Sequence, residues 1–306
     1  MTHTIGWVVF GIVVIFLLVL DLGVFNKKAH VISLKEAVYT SAIWIGIAFA
    51  FNIGIYYFNG ERQAIEFLTG YIVEKSLSVD NIFVMIMIFN IFQIPPHFQH
   101  KVLFYGILGA ILLRGAMIFL GIALLEKFHW IFYIFGALLI YSAIKMAIKK
   151  EEENIDFENK WYIKLLKKVY PISSNRENGR FLIKENNKIH ITPLFLTLIT
   201  VEVTDLIFAI DSIPAIFAIT TDPFIVFTSN IFAILGLRSL YFALAGVIEI
   251  FHFLKYGLAI ILGFVGIKMI LIDFIKIPIL LSLIIILGTI IVSVFMSLIL
   301  PKEKNK

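Results

Sequence analysis

Apolar residues in this chain run in long blocks separated by short polar breaks. The blocks lie at 5–25, 37–58, 65–92, 102–125, 128–148, 191–219, 224–248, 254–272 and 278–300. A helix needs roughly 20 apolar residues to cross a hydrocarbon layer about 30 Å thick, and each block comes close to that. The pattern predicts an all-α polytopic transmembrane bundle of about nine spans. The first block reaches Asp21 with no basic stretch before it and no small-residue cleavage site after it, so it is expected to be retained as a span.

Composition turns this expectation into an exclusion. Of 306 residues, 60% are hydrophobic and 15% charged, and the mean hydropathy is +0.96. A water-soluble fold has too little interior to hide that much apolar surface. The chain has no cysteine, which removes disulfides, thiolate metal sites and cysteine nucleophiles. Its 26 Lys and Arg include three well away from the block ends (Lys75, Arg114, Arg238), and 19 of the others fall in or at the edge of one set of alternate loops. Only Arg62, Lys127, Lys268 and Lys276 fall on the opposite set. Basic loops stay in the cytoplasm, so the N-terminus is expected outside and the C-terminus inside a plasma (inner) membrane.

The longest break, 149–190, holds an acidic stretch (Glu151 to Glu158), a basic amphipathic stretch (Trp161 to Tyr170) and two short alternating runs around 185–187 that resemble a hairpin. It reads as a solvated cytoplasmic linker whose basic helix lies on anionic headgroups. No nucleic-acid or nucleotide-binding motif is present, so neither a nucleic-acid partner nor ATP hydrolysis is expected, and no enzymatic activity or cofactor is assigned.

Two segments repeat. Ala110-Ile-Leu-Leu-Arg114, Phe128-His129 and Ile144-Lys145-Met146 return as Ala233-Ile-Leu-Gly-Leu-Arg238, Phe251-His252 and Ile267-Lys268-Met269. Before each copy lies an acidic helix, with Glu74 and Asp80 six residues apart, as are Asp205 and Asp211. Each copy has three spans, an odd number, so the two would enter the membrane from opposite sides as an inverted repeat, an arrangement common in transporters. The expected units are 1–64 (two helices), 65–148 (first repeat), 149–190 (cytoplasmic loop), 191–272 (second repeat) and 273–306 (last helix and basic tail).

Glu74, Lys75, Asp80, Arg114, Glu202, Asp205, Asp211 and Arg238 all fall at hydrocarbon depth, where each charge needs compensation. Five acids against three bases leaves a formal −2, the complement of one divalent cation, although an ion-pair network that only specifies packing is an alternative. Glu74, Ser78 and Asn81 share one helical stripe, as do Glu202, Asp205 and Ser212. Asp80 and Asp211 lie about 120° round from Glu74 and Asp205, so each helix must either meet polar neighbours on two sides or unwind. Pro214 favours unwinding in the second copy. All seven histidines fall in breaks or at block ends, so a central site is built of oxygen and suits manganese, magnesium or calcium over zinc or copper. The methionines read as packing.

Glu74-Lys75-Ser76-Leu77-Ser78-Val79-Asp80-Asn81 and Val201-Glu202-Val203-Thr204-Asp205 through Asp211-Ser212-Ile213-Pro214 resemble the two signatures of the TerC family. Asp222-Pro223-Phe224 through Asn230 to Arg238, with Arg114 and Phe128-His129-Trp130, is similar to its Alx-type branch. Val203 stands where a hydroxyl residue is expected. The resemblance implies integral membrane proteins named for tellurium resistance, with several branches tied to manganese homeostasis and Mn²⁺ export. Taken together, the residues and the resemblance point to a secondary transporter of a divalent cation, foremost Mn²⁺, in the lipid bilayer. Asp80, Asp205 and Asp211 are the first candidate ligands, Glu74, Asn81 and Glu202 the next, and Arg114 and Arg238 the counter-charges. The rival reading is a non-transporting scaffold or stress-response protein.

Overall fold

In hydrocarbon every backbone N–H and C=O must find its partner within the segment, and a helix does this for an apolar block without outside help. The computed structural model describes residues 3–23, 33–148, 160–173, 179–185, 188–245 and 248–300 and is helical almost throughout. Its elements are α1 (His3–Gly23), α2 (Leu34–Asn59), α3 (Glu61–Ile91), α4 (Pro96–Lys127), α5 (Ile131–Ile148), α6 (Trp161–Val169), β1 (Leu182–Glu185), β2 (Lys188–Ile191), α7 (Pro193–Phe217), α8 (Pro223–Leu235), α9 (Leu237–Leu244), α10 (Leu254–Ile270) and α11 (Ile279–Ile299). Among the described residues, α2, α4, α5, α7 and α11 are each long and apolar enough to span a membrane, and α8 with α9 would make a sixth span bent by 41°. The chain is an all-α membrane protein. Large apolar side chains such as Ile12, Leu112, Ile144 and Phe295 stay exposed on the outer faces, where lipid replaces water.

The sequence signals fix the helix ends. Ser33, Thr192 and Asp222 cap α2, α7 and α8 by accepting backbone N–H groups, and Pro193 and Pro223 sit in the first turns of α7 and α8, where no N–H is needed. Hydroxyls inside the spans turn back on their own helices: Thr69, Ser78, Thr197, Thr200, Thr204 and Thr228 donate to carbonyls four residues earlier at 2.6–2.8 Å. Their hydrogens are thereby satisfied in a medium that offers none of its own acceptors.

Helix α3 lies between α8 and α7, α4 packs on both α7 and α8, and α5 runs along α10. At that last contact Gly136 and Gly266 face one another, and a Cβ on either would come within 2.9 Å of the other's carbonyl oxygen. An aromatic cluster of Phe10, Trp44, Phe67, Phe224 and Phe232 joins α1, α2, α3 and α8.

Three expectations need correction. The block at 224–248 is broken at Gly236, where the backbone turns between α8 and α9. Lys75 reaches into this break and its Nζ donates to the Ala233 carbonyl at 3.3 Å, placing positive charge on the carbonyl end of α8. A Cβ at Gly236 would lie 2.7 Å from that Nζ. Conversely, Pro214 does not unwind α7. The helix continues to Phe217, because the proline sits in its last turn and the Ala218 N–H closes onto the Pro214 carbonyl at 3.1 Å. Finally, the long break is more than a solvated linker. Lys160, Lys164 and Lys168 are exposed on and beside α6, but Tyr162 and Ile163 are buried against the bundle, in one apolar cluster with Leu196 and Val201 of α7. The hairpin forms in the register Leu182↔Ile191 to Glu185↔Lys188. The acidic stretch 151–158 and the basic tail 302–306 lie outside the described residues.

Candidate functional site

Where α3, α4, α7 and α8 meet, the bundle buries a cation among acids. Arg114 on α4 is 1% exposed. Its Nε donates to Asp205 Oδ2 at 3.0 Å and its Nη2 to Asp205 Oδ1 at 2.8 Å, the two-pronged pairing a planar guanidinium favours. Its Nη1 donates to Glu74 Oε1 and lies 3.4 Å from Ser212 Oγ. One arginine thus joins an acid of α3 to an acid of α7, the corresponding members of the two acidic helices. Two carboxylates around one guanidinium leave the cluster a formal −1.

Close helix contacts make room for this. Glu202, one turn before Asp205, packs its carboxylate against Gly109 of α4, a space that a Cβ would fill. Its Oε2 is buried and finds no partner among the described residues. Gly70, one turn before Glu74, lets Ser229 of α8 approach so closely that a Cβ there would sit 2.9 Å from Ser229 Oγ. The next residue, Asn230, then lies on Glu74, and its Nδ2 donates to Glu74 Oε2 at 3.0 Å. Asn230 is fully buried and belongs to the Alx-type stretch but not to the candidate ligands, because it lies on a third helix, outside the two acidic stripes. A helix otherwise apolar except for Thr228 and Ser229 was the signal that it offered.

The other candidates are distributed around this cluster. Asn81, two turns beyond Glu74 on α3, is 3% exposed, and its Oδ1 has no partner among the described residues. Asp211 is half-buried on another side of α7 and accepts a hydrogen bond from Ser142 of α5 at 2.7 Å. Each acidic helix thus stays regular, and α7 meets polar neighbours on two sides, Arg114 at Asp205 and Ser142 at Asp211. Asp80 is half-buried on α3, and Arg238 is buried at the start of α9, just past the break. Among the described residues, no three His, Asp or Glu side chains converge tightly enough to hold one metal ion. In this state Arg114 is the cation that Glu74 and Asp205 hold.

Residues 58–305 match the description "Integral membrane protein TerC family". The chain belongs to the TerC family. Among its relatives, "Uncharacterized membrane protein STKORF319" of Myxococcus xanthus is 49% identical over 293 residues, covering 96% of this chain and 92% of the relative. "Putative membrane-bound redox modulator Alx" of Salmonella typhi is 45% identical over 309 residues, 98% of this chain and 96% of the relative. The protein of that name from Escherichia coli K12 is 46% identical over 296 residues, 94% and 92% of the two chains. No solved structure matches the chain.

Proposed function

We propose that this TerC-family chain is a secondary transporter of the plasma membrane that exports a divalent cation, foremost Mn²⁺, by exchanging it for Arg114 on the carboxylates of α3 and α7. One observation carries the reading: the acids of the two repeated segments share a single buried cation, which belongs to the protein and must be released before an ion can take its place. Asp80, Asp205 and Asp211, then Glu74, Asn81 and Glu202, supply the oxygen along the path, and Arg114 and Arg238 hold the carboxylates between ions. Hard oxygen ligands suit Mn²⁺, and proton movement through the same acids is the simplest coupling.

The nine-span, N-outside topology with its inverted repeat belongs to the same proposal. The packing supports it: α3 on α8 is the counterpart of α7 on α4, and α5 on α10 pairs a helix with its own counterpart. The relatives' name suggests a redox role. This chain has no thiol to oxidise, so an effect on cellular redox state would come through the ion it moves.

A scaffold reading has its own supporting observation, since Arg114 is already satisfied and, among the described residues, no three acids gather. Mn²⁺ uptake into proteoliposomes decides between them. Wild type is expected to transport, and Asp80→Asn and Asp211→Asn are expected to insert and fold but not transport. A silent wild type, or mutants transporting at the wild-type rate, would overturn the proposal.

A further inference from the structure

Besides Arg114, Asn230 is a member of the buried cluster that neither acidic stripe accounts for. Half of its amide is committed, the Nδ2 donating to Glu74 Oε2 at 3.0 Å. The other half is not: Oδ1 is buried, in a residue with no exposed surface, and accepts no hydrogen bond among the described residues. Burying an amide oxygen without a donor forfeits its hydration for nothing, and a residue needed only to hold Glu74 would gain from a partner at that oxygen. A cation arriving at Glu74 supplies one.

Charge bookkeeping points the same way. Glu74 and Asp205 together carry −2, which matches a divalent ion, so any further ligand in this low-dielectric interior must be neutral. Arg114 Nη1 marks the seat, since it lies against Glu74 Oε1 and 3.4 Å from Ser212 Oγ. Asn230 reaches the other oxygen of the same Glu74 carboxylate from α8, next to the close approach of Ser229 to Gly70.

We propose that Asn230 is a direct oxygen ligand of the transported divalent cation, its amide Oδ1 binding the ion that Glu74 and Asp205 receive when Arg114 withdraws. This rests on the cation-pathway reading above and adds a specificity residue to it. The amide oxygen favours hard ions such as Mn²⁺ over thiolate- or imidazole-seeking ones. Its neutrality also leaves the loaded site free of surplus negative charge that would slow release.

The test is Mn²⁺ titration of the purified full-length protein in detergent, read as thermal stabilisation, together with Mn²⁺ transport in proteoliposomes, for wild type, Asn230→Ala and Asn230→Asp. Asn230→Ala is expected to weaken apparent Mn²⁺ affinity roughly ten- to a hundredfold, the usual scale for losing a group that supports a metal site. Asn230→Asp keeps the oxygen at the same length and adds charge, so it is expected to bind Mn²⁺ at least as tightly as wild type and to turn over more slowly. If Asn230 only positions Glu74, Asp must be the worse substitution, because it loses the donor and repels the neighbouring carboxylate. That order, or wild-type affinity in Asn230→Ala, overturns the inference while leaving the transport reading standing. A wild type that does not respond to Mn²⁺ at all overturns both. Should Asn230→Ala not fold, the affinity of Asn230→Asp against wild type decides.

Discussion

The two motif-bearing segments use the same letters differently. In the first, the Ala110-to-Arg114 motif lies inside one unbroken helix of 32 residues, and its arginine bridges acids of both segments. In the second, the Ala233-to-Arg238 motif carries one extra residue, Gly236, and the helix breaks there into α8 and α9. The break is the site of a second charge contact, Lys75 on the Ala233 carbonyl. A repeated motif therefore yields one rigid arm that carries the central cation and one jointed arm that carries Asn230.

Four measurements test this contrast, beginning with an all-or-none outcome. If the two segments are inverted, single cysteines introduced at Asn59, before α3, and at Ile189, before α7, must react with an impermeant thiol reagent from opposite faces of the membrane. Labelling of both from one face would refute the inversion. Next in size is Arg114→Leu, which leaves Glu74 and Asp205 buried against each other without a cation. Loss of one partner of a buried pair costs about 3–5 kcal/mol, so unfolding in detergent should show a large drop. Arg114→Lys keeps the charge without the two-pronged fit and should lose much less stability while altering Mn²⁺ response.

The contact between the segments comes third. A Cβ at Gly136 would meet Gly266 O at 2.9 Å and Ile270 N at 3.2 Å, backbone atoms that cannot step aside. Gly136→Ala should therefore cost about 1–3 kcal/mol by overpacking. At Gly236 the obstructing atom is mainly the far end of Lys75, so Gly236→Ala should cost less, and a larger loss there than at Gly136 would mean that the joint is the more constrained of the two.

The smallest effect lies at one end of the bundle, where the α4–α5 and α10–α11 turns meet. Tyr133 donates to Asp273 Oδ2 at 2.7 Å, and His129 Nε2 lies 3.0 Å from Asp273 Oδ1. The Tyr133 hydrogen bond, followed by that of His129, holds the Asp273 carboxyl below the ordinary carboxylate range. A depressed native value adds stability above the ordinary aspartate value, about pH 4, and that stability disappears as the pH falls through the depressed value. The group is exposed, so Asp273→Asn should change unfolding at neutral pH only slightly and remove a small part of the acid-induced loss below about pH 4. An equal acid response in mutant and wild type would show that the tie contributes nothing.

The chain's own residues determined a good deal. Apolar block lengths gave an all-α membrane protein, because a helix satisfies its backbone locally and block length is a one-dimensional property. The spacing of Glu74, Asn81 and Asp205 identified buried polar side chains for the same reason, since a stripe on one helix is legible from sequence. The caps at Ser33, Thr192 and Asp222 were equally local.

What only the tertiary structure decided is which of these groups meet. That Arg114 pairs with Glu74 and Asp205, 40 and 91 residues away, depends on how close α4 comes to α3 and α7, which glycines such as Gly109 set through absent side chains. Asn230 was legible as a polar residue in an apolar helix, but its place on Glu74 needed the Gly70–Ser229 approach. The break at Gly236 left its trace as one extra residue in the second copy of the motif. Its meaning came from Lys75, because a glycine in an apolar block is compatible with a straight helix until a cation from another helix occupies the space it leaves.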